Sequence, residues 1–382
     1  METLLWISIG CIFYGYAGYP LLITLISAVK TRTVRKRSDY RPMVSLIIPA
    51  HNEVKVIRKK LDNALTVDYP RDQLEIVVVS DESSDGTDEI VQEYEDRGIQ
   101  LIRLEPRGGK NRAVNTVVPQ VAGEIVVLCD ANIMFESSAI SRIVENFADS
   151  SVGCVCGQKL YRNDEGMATG KGEGLYWKLE EYLKRRESTA GSVTGADGSM
   201  YAIRKSLFQP FDVALMDDLL VSLNIYAQGF RIVSEPEARA YEKATTVISD
   251  EFRRKNRIVA SAIRTYARNT HFLNPFSSGM MAWQIWSHKF CRWLVPFFLL
   301  SAAYALINLV LQGQYLWLAV LSLAFIVGAI IGGLLQRAGK ASGFLSFPFY
   351  FFLVNIAALL GWLKFVGGKV ETTWKKPESS RV

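Results

Sequence analysis

The chain has 382 residues, a formal net charge of +6 and 49% hydrophobic residues, enough for one large domain or two small ones. Its three histidines are too few and too scattered for a His-rich metal site. Its five cysteines lack zinc-type spacing, and in a reducing cytosol we expect them to stay reduced. The composition therefore argues against a disulfide scaffold and a zinc protein, and we predict no nucleic-acid partner.

Four long segments are apolar and nearly free of charge, namely 3–29, 293–312, 315–335 and 344–366. Each is long enough to cross a hydrocarbon core of about 30 Å, which takes about 20 helical residues. The block between the first and second segments carries most of the charged residues. The sequence therefore predicts a membrane protein with one cytosol-sized domain.

The first apolar segment is predicted to be an anchor and not a cleaved signal peptide. No basic residue precedes the segment, and no small-residue cleavage site lies between it and the basic cluster that follows. Six basic residues follow it between positions 30 and 41, which places that end in the cytoplasm. The predicted order is an N-terminal transmembrane helix (1–30), a cytosolic domain (42–270), an interfacial amphipathic helix (271–292), about three C-terminal transmembrane helices (293–366) and a basic tail (367–382).

Strands alternate with helices in the first half of the cytosolic domain. Strands are predicted at 43–49, 74–80, 99–104 and 124–129, and the lengths between them fit right-handed helical crossovers. This pattern predicts a doubly wound, Rossmann-like α/β sheet. The second half is mixed, with predicted strands at 152–160, 199–204 and 231–241 and helices at 175–187, 216–228 and 250–269.

The stretch 125–132 combines an apolar run with two oxygen-bearing side chains. The run is typical of a strand buried on both faces, so Asp130 and Asn132 would emerge at its carboxyl end. Open α/β sheets bind ligands at that edge, and these two side chains fit a divalent metal held against a diphosphate. The alternative is a simple turn, because Asp and Asn favour turns.

Polar clusters also follow the other strands or open helices. Asp81, at a strand end, fits an acceptor for a base or ribose, or a helix cap. Gly108 and Gly109 allow close backbone approach, and Lys110 at a helix start suits a phosphate. Asn115, one turn further along, faces either the same site or the solvent.

The order of the motifs carries a family resemblance. They read IIPAHNE (47–53), VVVSDESSDGT (77–87), GGKNRAVN (108–115), LCDAN (128–132), GADGSMYAIRK (195–205) and MDDLL (216–220). This order resembles the family 2 inverting glycosyltransferases, which have the GT-A fold. It is most similar to the membrane-bound branch related to cellulose, chitin, hyaluronan and poly-N-acetylglucosamine synthases. The resemblance covers about residues 42–290 and the flanking membrane helices.

The resemblance implies a UDP-sugar donor and a divalent metal, Mg²⁺ or Mn²⁺. The residues that would line the uridine pocket are Ala50, Asn52, Glu53 and Asp81, with Lys110 near the nucleotide. Asp130 and Asn132 match the metal-binding Asp-x-Asp motif of the family. Because Asn132 lacks the charge of the second Asp, we expect weaker metal binding with Asp130 as the main ligand.

The resemblance also implies the catalytic residues. Met216, Asp217 and Asp218 match a Thr-Glu-Asp-like motif whose last acid is the base, so Asp218 would take the proton of the acceptor hydroxyl. Without the resemblance, adjacent acids at a helix start also serve as caps. Asp197, in the loop matching the acceptor side, would bind acceptor hydroxyls or cap a turn before Gly198.

The basic helix departs from the family pattern. Processive relatives carry Gln-x-x-Arg-Trp there, whereas this chain has Arg254, Arg257 and Ile258 at the corresponding positions. One arginine would clamp the diphosphate, or the basic face would meet anionic lipid headgroups. Because this Trp is missing, the sequence leaves open whether synthesis is processive. The side of the membrane on which the C-terminal tail lies is also open. Three crossings would place the tail outside, whereas its basic residues favour the cytoplasmic side.

Together these features predict an integral protein of the bacterial inner membrane with a cytoplasmic catalytic domain. We expect it to move a sugar from a UDP-sugar to a growing polysaccharide. Two alternatives stay open: transfer of one sugar to a lipid-linked acceptor, and a non-catalytic, transferase-like subunit of a secretion complex. The expected partners are the donor, a carbohydrate or lipid-linked acceptor and membrane lipids, and a homo-oligomer is compatible with the sequence.

Overall fold

The computed structural model describes residues 1–162, 171–243, 248–338, 340 and 343–370, so most of the predicted basic tail lies outside the described residues. Its strands are β1 (Val44–Ala50), β2 (Leu74–Asp81), β3 (Ile99–Leu104), β4 (Ile125–Cys129), β5 (Met134–Phe135), β6 (Val152–Arg162), β7 (Met200–Arg204) and β8 (Arg231–Lys243). Its α-helices are α1 (Glu2–Phe13), α2 (Tyr19–Val29), α3 (Ile57–Leu65), α4 (Thr87–Gln92), α5 (Lys110–Val117), α6 (Ala139–Glu145), α7 (Lys171–Ala190), α8 (Asp217–Ala227), α9 (Ile248–Arg268), α10 (Pro275–Ser278), α11 (Met280–Gln284), α12 (Cys291–Leu311), α13 (Leu316–Arg337) and α14 (Ser346–Val366).

The chain divides into two compact units. The helical unit consists of Met1–Val29, Ala168–Leu183 and Ile248–Val370, and the sheet unit contains Lys30–Met167 and Lys184–Val247. The predicted cytosolic domain, 42–270, therefore corresponds only in part to the sheet unit. Residues 248–270, predicted to belong to that domain, group with the apolar helices instead.

The sheet unit is built on one mixed sheet with the strand order β3-β2-β1-β4-β7-β6-β8-β5. The first four strands are parallel, which confirms the doubly wound half that the alternating pattern predicts. β7 then runs antiparallel to both β4 and β6, while β6 and β8 are parallel. The second half is mixed, as predicted.

The parallel half is buried on both faces, which explains its continuous apolar runs. Ile48, Val78 and Val127 belong to one buried cluster together with residues of α3 and α6. The residues that precede them along each strand, such as Ile47 and Val77, point to the opposite face and are buried too. All seven residues of β1 are buried. Such strands end in polar loops at one edge of the sheet.

Two short elements were not predicted from the sequence. The strand β5 has two residues, and α6 has seven. β5 pairs antiparallel with β8, with Met134 opposite Tyr241. A strand of two residues has no detectable periodicity and exists because of this distant pairing, so the local sequence does not reveal it.

Four helical stretches of the helical unit are long and apolar enough to cross a membrane, by length and composition: Glu2–Val29, Met280–Leu311, Leu316–Arg337 and Gly343–Val366. They correspond to the four predicted segments, but the second is longer than expected. Residues 271–292 do not form one separate amphipathic helix. Instead, α10 ends at Ser278, and a continuous helical run begins at Met280.

The polar residues at the start of this long helix are compensated within the helical unit. His288 lies 3.2 Å from the carboxylate of Glu180 and Lys289 lies 3.5 Å from it. Arg292 forms a salt bridge with the same carboxylate. Because one buried carboxylate pairs with these side chains, they do not require the helix to lie in an aqueous interface.

Close packing in the sheet unit gives a stability test at Gly153 in β6. A Cβ built at Gly153 would lie 2.5 Å from Cγ2 of Ile225 and 2.7 Å from Cβ of Phe230. We expect Gly153→Ala to lower the free energy of unfolding by about 1–3 kcal/mol through overpacking. Gly191→Ala is the matched control, because a Cβ there meets no atom within 4 Å. Thermal melting of the two variants measures the difference, and equal melting temperatures would contradict the packing.

Candidate active site

The candidate active site lies at the carboxyl edge of the parallel strands. β1 ends at Ala50, β2 at Asp81 and β4 at Cys129, so the loops that follow start at the same edge. Ala50 and Asp81 are buried, at 4% exposure each. The fold therefore brings together the strand-end motifs predicted from the sequence.

The loop after β1 is fastened to the loop after β2. The Oδ1 atom of Asn52 accepts a hydrogen bond from the backbone N–H of Ser84 at 2.9 Å. The backbone N–H of Glu53 donates to Oγ1 of Thr87, also at 2.9 Å. Asn52 has a left-handed backbone, with φ of 54°, which Asn tolerates better than most residues. Both residues thus hold the two loops together, and direct contact of Ala50, Asn52 and Glu53 with a nucleotide stays a prediction.

The carboxylate of Asp81 organises the glycine turn before α5. Its Oδ1 accepts from the backbone N–H of Gly108 at 2.8 Å, and its Oδ2 accepts from that of Gly109 at 2.7 Å. Gly109 has φ of 84°, a conformation that requires glycine. Each carboxylate oxygen has a second lone pair, so Asp81 retains acceptor capacity for a base or ribose.

Lys110, the first residue of α5, connects the metal motif with the base motif. Its ammonium lies 3.3 Å from Oδ1 of Asp130 and 3.1 Å from Oδ2 of Asp217. Burial alone would lower the pKa of Lys110, but Asp130, Asp217 and Asp218 raise it above its usual range. The ammonium therefore stays charged and is the central cation of the site.

Asp217 and Asp218 are the first two residues of α8, and both are buried. Burial and the charge of Asp217 raise the pKa of Asp218 to about 7, although Lys110 opposes the shift. The Oδ1 atom of Asp218 accepts from the backbone N–H of Leu219 at 2.8 Å. A carboxyl with this pKa is suited to accept and release protons near neutral pH.

Gly198 lies directly against the side chains of Asp218 and Lys110. A Cβ built at Gly198 would be 2.9 Å from Oδ2 of Asp218 and 3.5 Å from Nζ of Lys110. Any larger residue would displace the Asp218 carboxylate. The small residue in this loop, which the sequence analysis assigned to the acceptor side, thus leaves room for the carboxylate.

Asp197, next to Gly198, is tied into ion pairs. Its carboxylate lies 3.9 Å from Nζ of Lys159 and 3.7 Å from Nζ of Lys184, and it accepts from the backbone N–H of Ser199 at 3.1 Å. Burial opposes ionisation, but the two lysines and Ser199 hold the pKa of Asp197 well below its usual range. Asp197 therefore caps the turn, and its contact with an acceptor hydroxyl stays a prediction.

Asp130 and Asn132 follow β4 as predicted, and their surroundings can be compared with the needs of a divalent metal. Nδ2 of Asn132 donates to Oε1 of Glu242 at 3.2 Å. The described residues contain no group of three or more His, Cys, Asp or Glu side chains placed to hold a metal. One carboxylate and one amide oxygen still fit Mg²⁺ or Mn²⁺, because such ions commonly take their remaining ligands from substrate phosphates and water.

The side chain of Asn115 was expected to face either the nucleotide or the solvent, but it faces the backbone of Phe211 instead. Its Nδ2 donates to the carbonyl of Phe211 at 2.7 Å, and its Oδ1 accepts from the N–H of the same residue at 3.2 Å. One turn earlier, Nδ2 of Asn111 donates to the carbonyl of Leu215 at 2.6 Å. Helix α5 thus holds the segment that leads into Asp217.

Arg254 and Arg257 lie on α9 in the helical unit. The Nε of Arg254 donates to Glu251 at 2.8 Å, an ion pair within the same helix. Arg257 follows one turn later on that helix. A role for either arginine at the diphosphate stays a prediction.

Three charged residues of the ion pairs around Asp197 were not predicted from the sequence, namely Lys159, Lys184 and Glu242. They come from β6, α7 and β8, far along the chain from the recognised motifs. Lys159 and Glu242 both lie near the ends of predicted strands, which was the only available signal.

Comparison with known proteins identifies the family of the domain that carries these residues. The family described as "Glycosyl transferase family 2" matches residues 45–211, a range that contains the strand-end motifs and the loop around Gly198. The chain carries a glycosyltransferase family 2 domain. Asp217 and Asp218 lie just beyond the matched range.

Several curated relatives are similar to part of this chain. "Probable glycosyltransferase YdaM" of Bacillus subtilis is 29% identical over 55% of this chain and 52% of its own length. "Poly-beta-1,6-N-acetyl-D-glucosamine synthase" of Staphylococcus epidermidis is 28% identical over 51% and 48%. "Beta-monoglucosyldiacylglycerol synthase" of Trichormus variabilis is 24% identical over 59% and 50%. The chain thus spans about half the length of these curated relatives.

One solved structure shares the fold of nearly the whole chain. "Mannosyltransferase PcManGT from Pyrobaculum calidifontis in complex with GDP-Man and Mn2+" aligns with a TM-score of 0.73 and 24% identity. The alignment covers 96% of this chain and 99% of that one. This similarity confirms the predicted GT-A fold of the glycosyltransferase domain.

The contacts of Asn115 give a test of its positioning role. Asn115→Ala removes two hydrogen bonds to Phe211, and we expect the free energy of unfolding to fall by about 1–3 kcal/mol. Gln120→Ala is the control, because Gln120 is exposed just beyond α5. Chemical denaturation measures both. A loss no larger than that of the control would contradict the role of Asn115.

Proposed function

We propose that the protein is a membrane-bound inverting glycosyltransferase that moves a sugar from a UDP-sugar to a growing polysaccharide. The observation that carries the proposal is Asp218, a buried carboxyl with a pKa of about 7 beside the lysine that contacts Asp130. Inverting transfer needs a base near neutral pH next to the site where the diphosphate leaves. Asp218 would supply the base, and the neighbouring Lys110 and Asp130 would lie on the diphosphate side, which supports the proposal.

In the proposed mechanism, Asp218 accepts the proton of the acceptor hydroxyl as that oxygen attacks the anomeric carbon. Asp217 helps raise the pKa of this base, and Lys110 limits the accumulation of negative charge. Asp130 and the amide oxygen of Asn132 would hold the divalent metal. When bound, the metal supplies charge stabilisation for the departing diphosphate. Lys110 also provides positive charge on that side of the site.

The identity of the donor rests on the motifs rather than on the relatives. The motifs resemble those of UDP-sugar enzymes, whereas the structurally similar mannosyltransferase was solved with GDP-Man and Mn²⁺. Asp81, at the end of β2, is the proposed acceptor for the base or ribose. Mn²⁺ or Mg²⁺ is the proposed cofactor.

A second candidate is the transfer of one sugar to a lipid or lipid-linked acceptor. It is favoured by Ile258, which stands where processive enzymes carry Trp, so a platform for stacking an acceptor sugar is missing there. The names of the curated relatives include both a polysaccharide synthase and a glycolipid synthase. For either function we propose a bacterial inner membrane location with the sheet unit in the cytoplasm.

Product analysis tests the proposal directly. Purified protein in detergent, with Mn²⁺ or Mg²⁺, is incubated with a panel of UDP-sugars and GDP-mannose, and the products are analysed by mass spectrometry. We expect turnover of a UDP-sugar and a ladder of product lengths. One added sugar would support the second candidate. Tight nucleotide binding without hydrolysis or transfer of any donor would instead indicate a non-catalytic subunit.

The base is tested by substitution and by pH. Below its pKa of about 7, Asp218 is protonated and cannot accept a proton, so kcat/KM should fall about tenfold per pH unit on the acid side. Asp218→Asn should lower kcat by about 10²- to 10⁴-fold with little change in donor affinity. Asp96→Asn, at an exposed position, is the control. Full activity of Asp218→Asn would refute the assignment of the base.

A further inference from the structure

The side chain of Asn132 is held by a residue outside the recognised motifs. Nδ2 of Asn132 donates to Oε1 of Glu242 at 3.2 Å, and the other carboxylate oxygen of Glu242 lies 3.4 Å from Nζ of Lys159. Glu242 is largely buried, with a side-chain exposure of 16%. A partly buried carboxylate thus stands next to the motif position that lacks a charge.

We propose that Glu242 is a positioning residue of the metal site, which orients Asn132 and supplies the negative charge that Asn132 lacks. The inference rests on the proposed metal-dependent function. Because the amide nitrogen of Asn132 donates to Glu242, the hydrogen bond leaves the amide oxygen as the atom that would contact a cation in this proposal. Carboxylates that hydrogen-bond to metal ligands typically fix ligand orientation and raise metal affinity.

The fold explains how Glu242 reaches the motif. β5 begins two residues after Asn132 and pairs with β8, where Met134 lies opposite Tyr241. Glu242 is the next residue of β8. The short strand β5 therefore fixes the distance between the motif and the Glu242 carboxylate.

The pairing also explains why the motif has Asn at position 132. A second Asp there would place two carboxylates within about 3 Å, and like charges at that distance repel strongly in a partly buried site. An amide N–H instead donates a charge-assisted hydrogen bond to Glu242. The pair thus contains one negative charge in total, located at Glu242 instead of at position 132.

The charge balance of the site makes this carboxylate significant. Two groups of ion pairs lie in this region. Lys110 pairs with Asp130 and Asp217, whereas Lys159 pairs with Asp197 and Glu242, and Lys184 pairs with Asp197. Removing the charge of Glu242 would take away the negative charge next to Asn132 while Lys159 stays charged, which disfavours a cation held by Asp130 and Asn132. The affinity of the site for a divalent ion should therefore fall when this charge is removed.

The test is a Mn²⁺ titration of the full chain in detergent with saturating UDP, in which electron paramagnetic resonance measures free Mn²⁺. Glu242→Gln keeps an acceptor for Asn132 and removes only the charge, so we expect Mn²⁺ affinity to fall about tenfold or more. Asn132→Asp combined with Glu242→Gln reverses the hydrogen bond and returns the charge to position 132. This double variant should bind Mn²⁺ within about threefold of the wild type.

Glu237→Gln is the matched control, because Glu237 lies on the same strand with a side-chain exposure of 62%. Wild-type Mn²⁺ affinity in Glu242→Gln, or a double variant no tighter than Glu242→Gln, would overturn the inference and leave the proposed function intact. No Mn²⁺ binding by the wild type with UDP would overturn the metal dependence itself. If Glu242→Gln has a lowered melting temperature, the Mn²⁺ affinity of the double variant still tests the inference, because the double variant restores the negative charge.

Discussion

The ammonium of Lys110, placed between Asp130 and Asp217, is the interaction on which the candidate site depends. Several carboxylates are buried at one sheet edge, and without a cation among them their mutual repulsion would favour protonation or unfolding. Lys110 begins a helix immediately after a glycine turn, and Asp81 holds that turn through two backbone N–H groups. The position of the central cation is therefore set by the end of β2 and by the glycine turn, both in the sheet unit.

This arrangement gives the adjacent acids Asp217 and Asp218 different surroundings. Lys110 contacts the carboxylate of Asp217 directly, whereas the carboxylate of Asp218 accepts a hydrogen bond from the backbone N–H of Leu219 and has a pKa of about 7. Unequal environments of neighbouring titratable groups are how proteins assign a base. Gly198 completes the arrangement, because only a residue without a side chain lets the loop approach Asp218 so closely.

Local pattern was sufficient for the parallel half of the sheet and for the polar residues at its strand ends, since buried strands and their terminal loops are encoded in short stretches. Asp81 and Asp130 were found in this way. Glu242 and the Phe211 contact of Asn115 were not, because both depend on pairing between distant segments. The start of the long helix at Met280 was missed for a similar reason, since Glu180 compensates its polar residues from more than 100 positions away.

Helix α5 has a further consequence for kinetics. Its first residue contacts the metal motif, while Asn111 and Asn115 hold the backbone that leads to the base. One short helix of eight residues thus contacts Asp130 and also holds the segment before α8. In the proposed mechanism, a displacement of this helix would therefore change both the charge beside the leaving diphosphate and the position of the base.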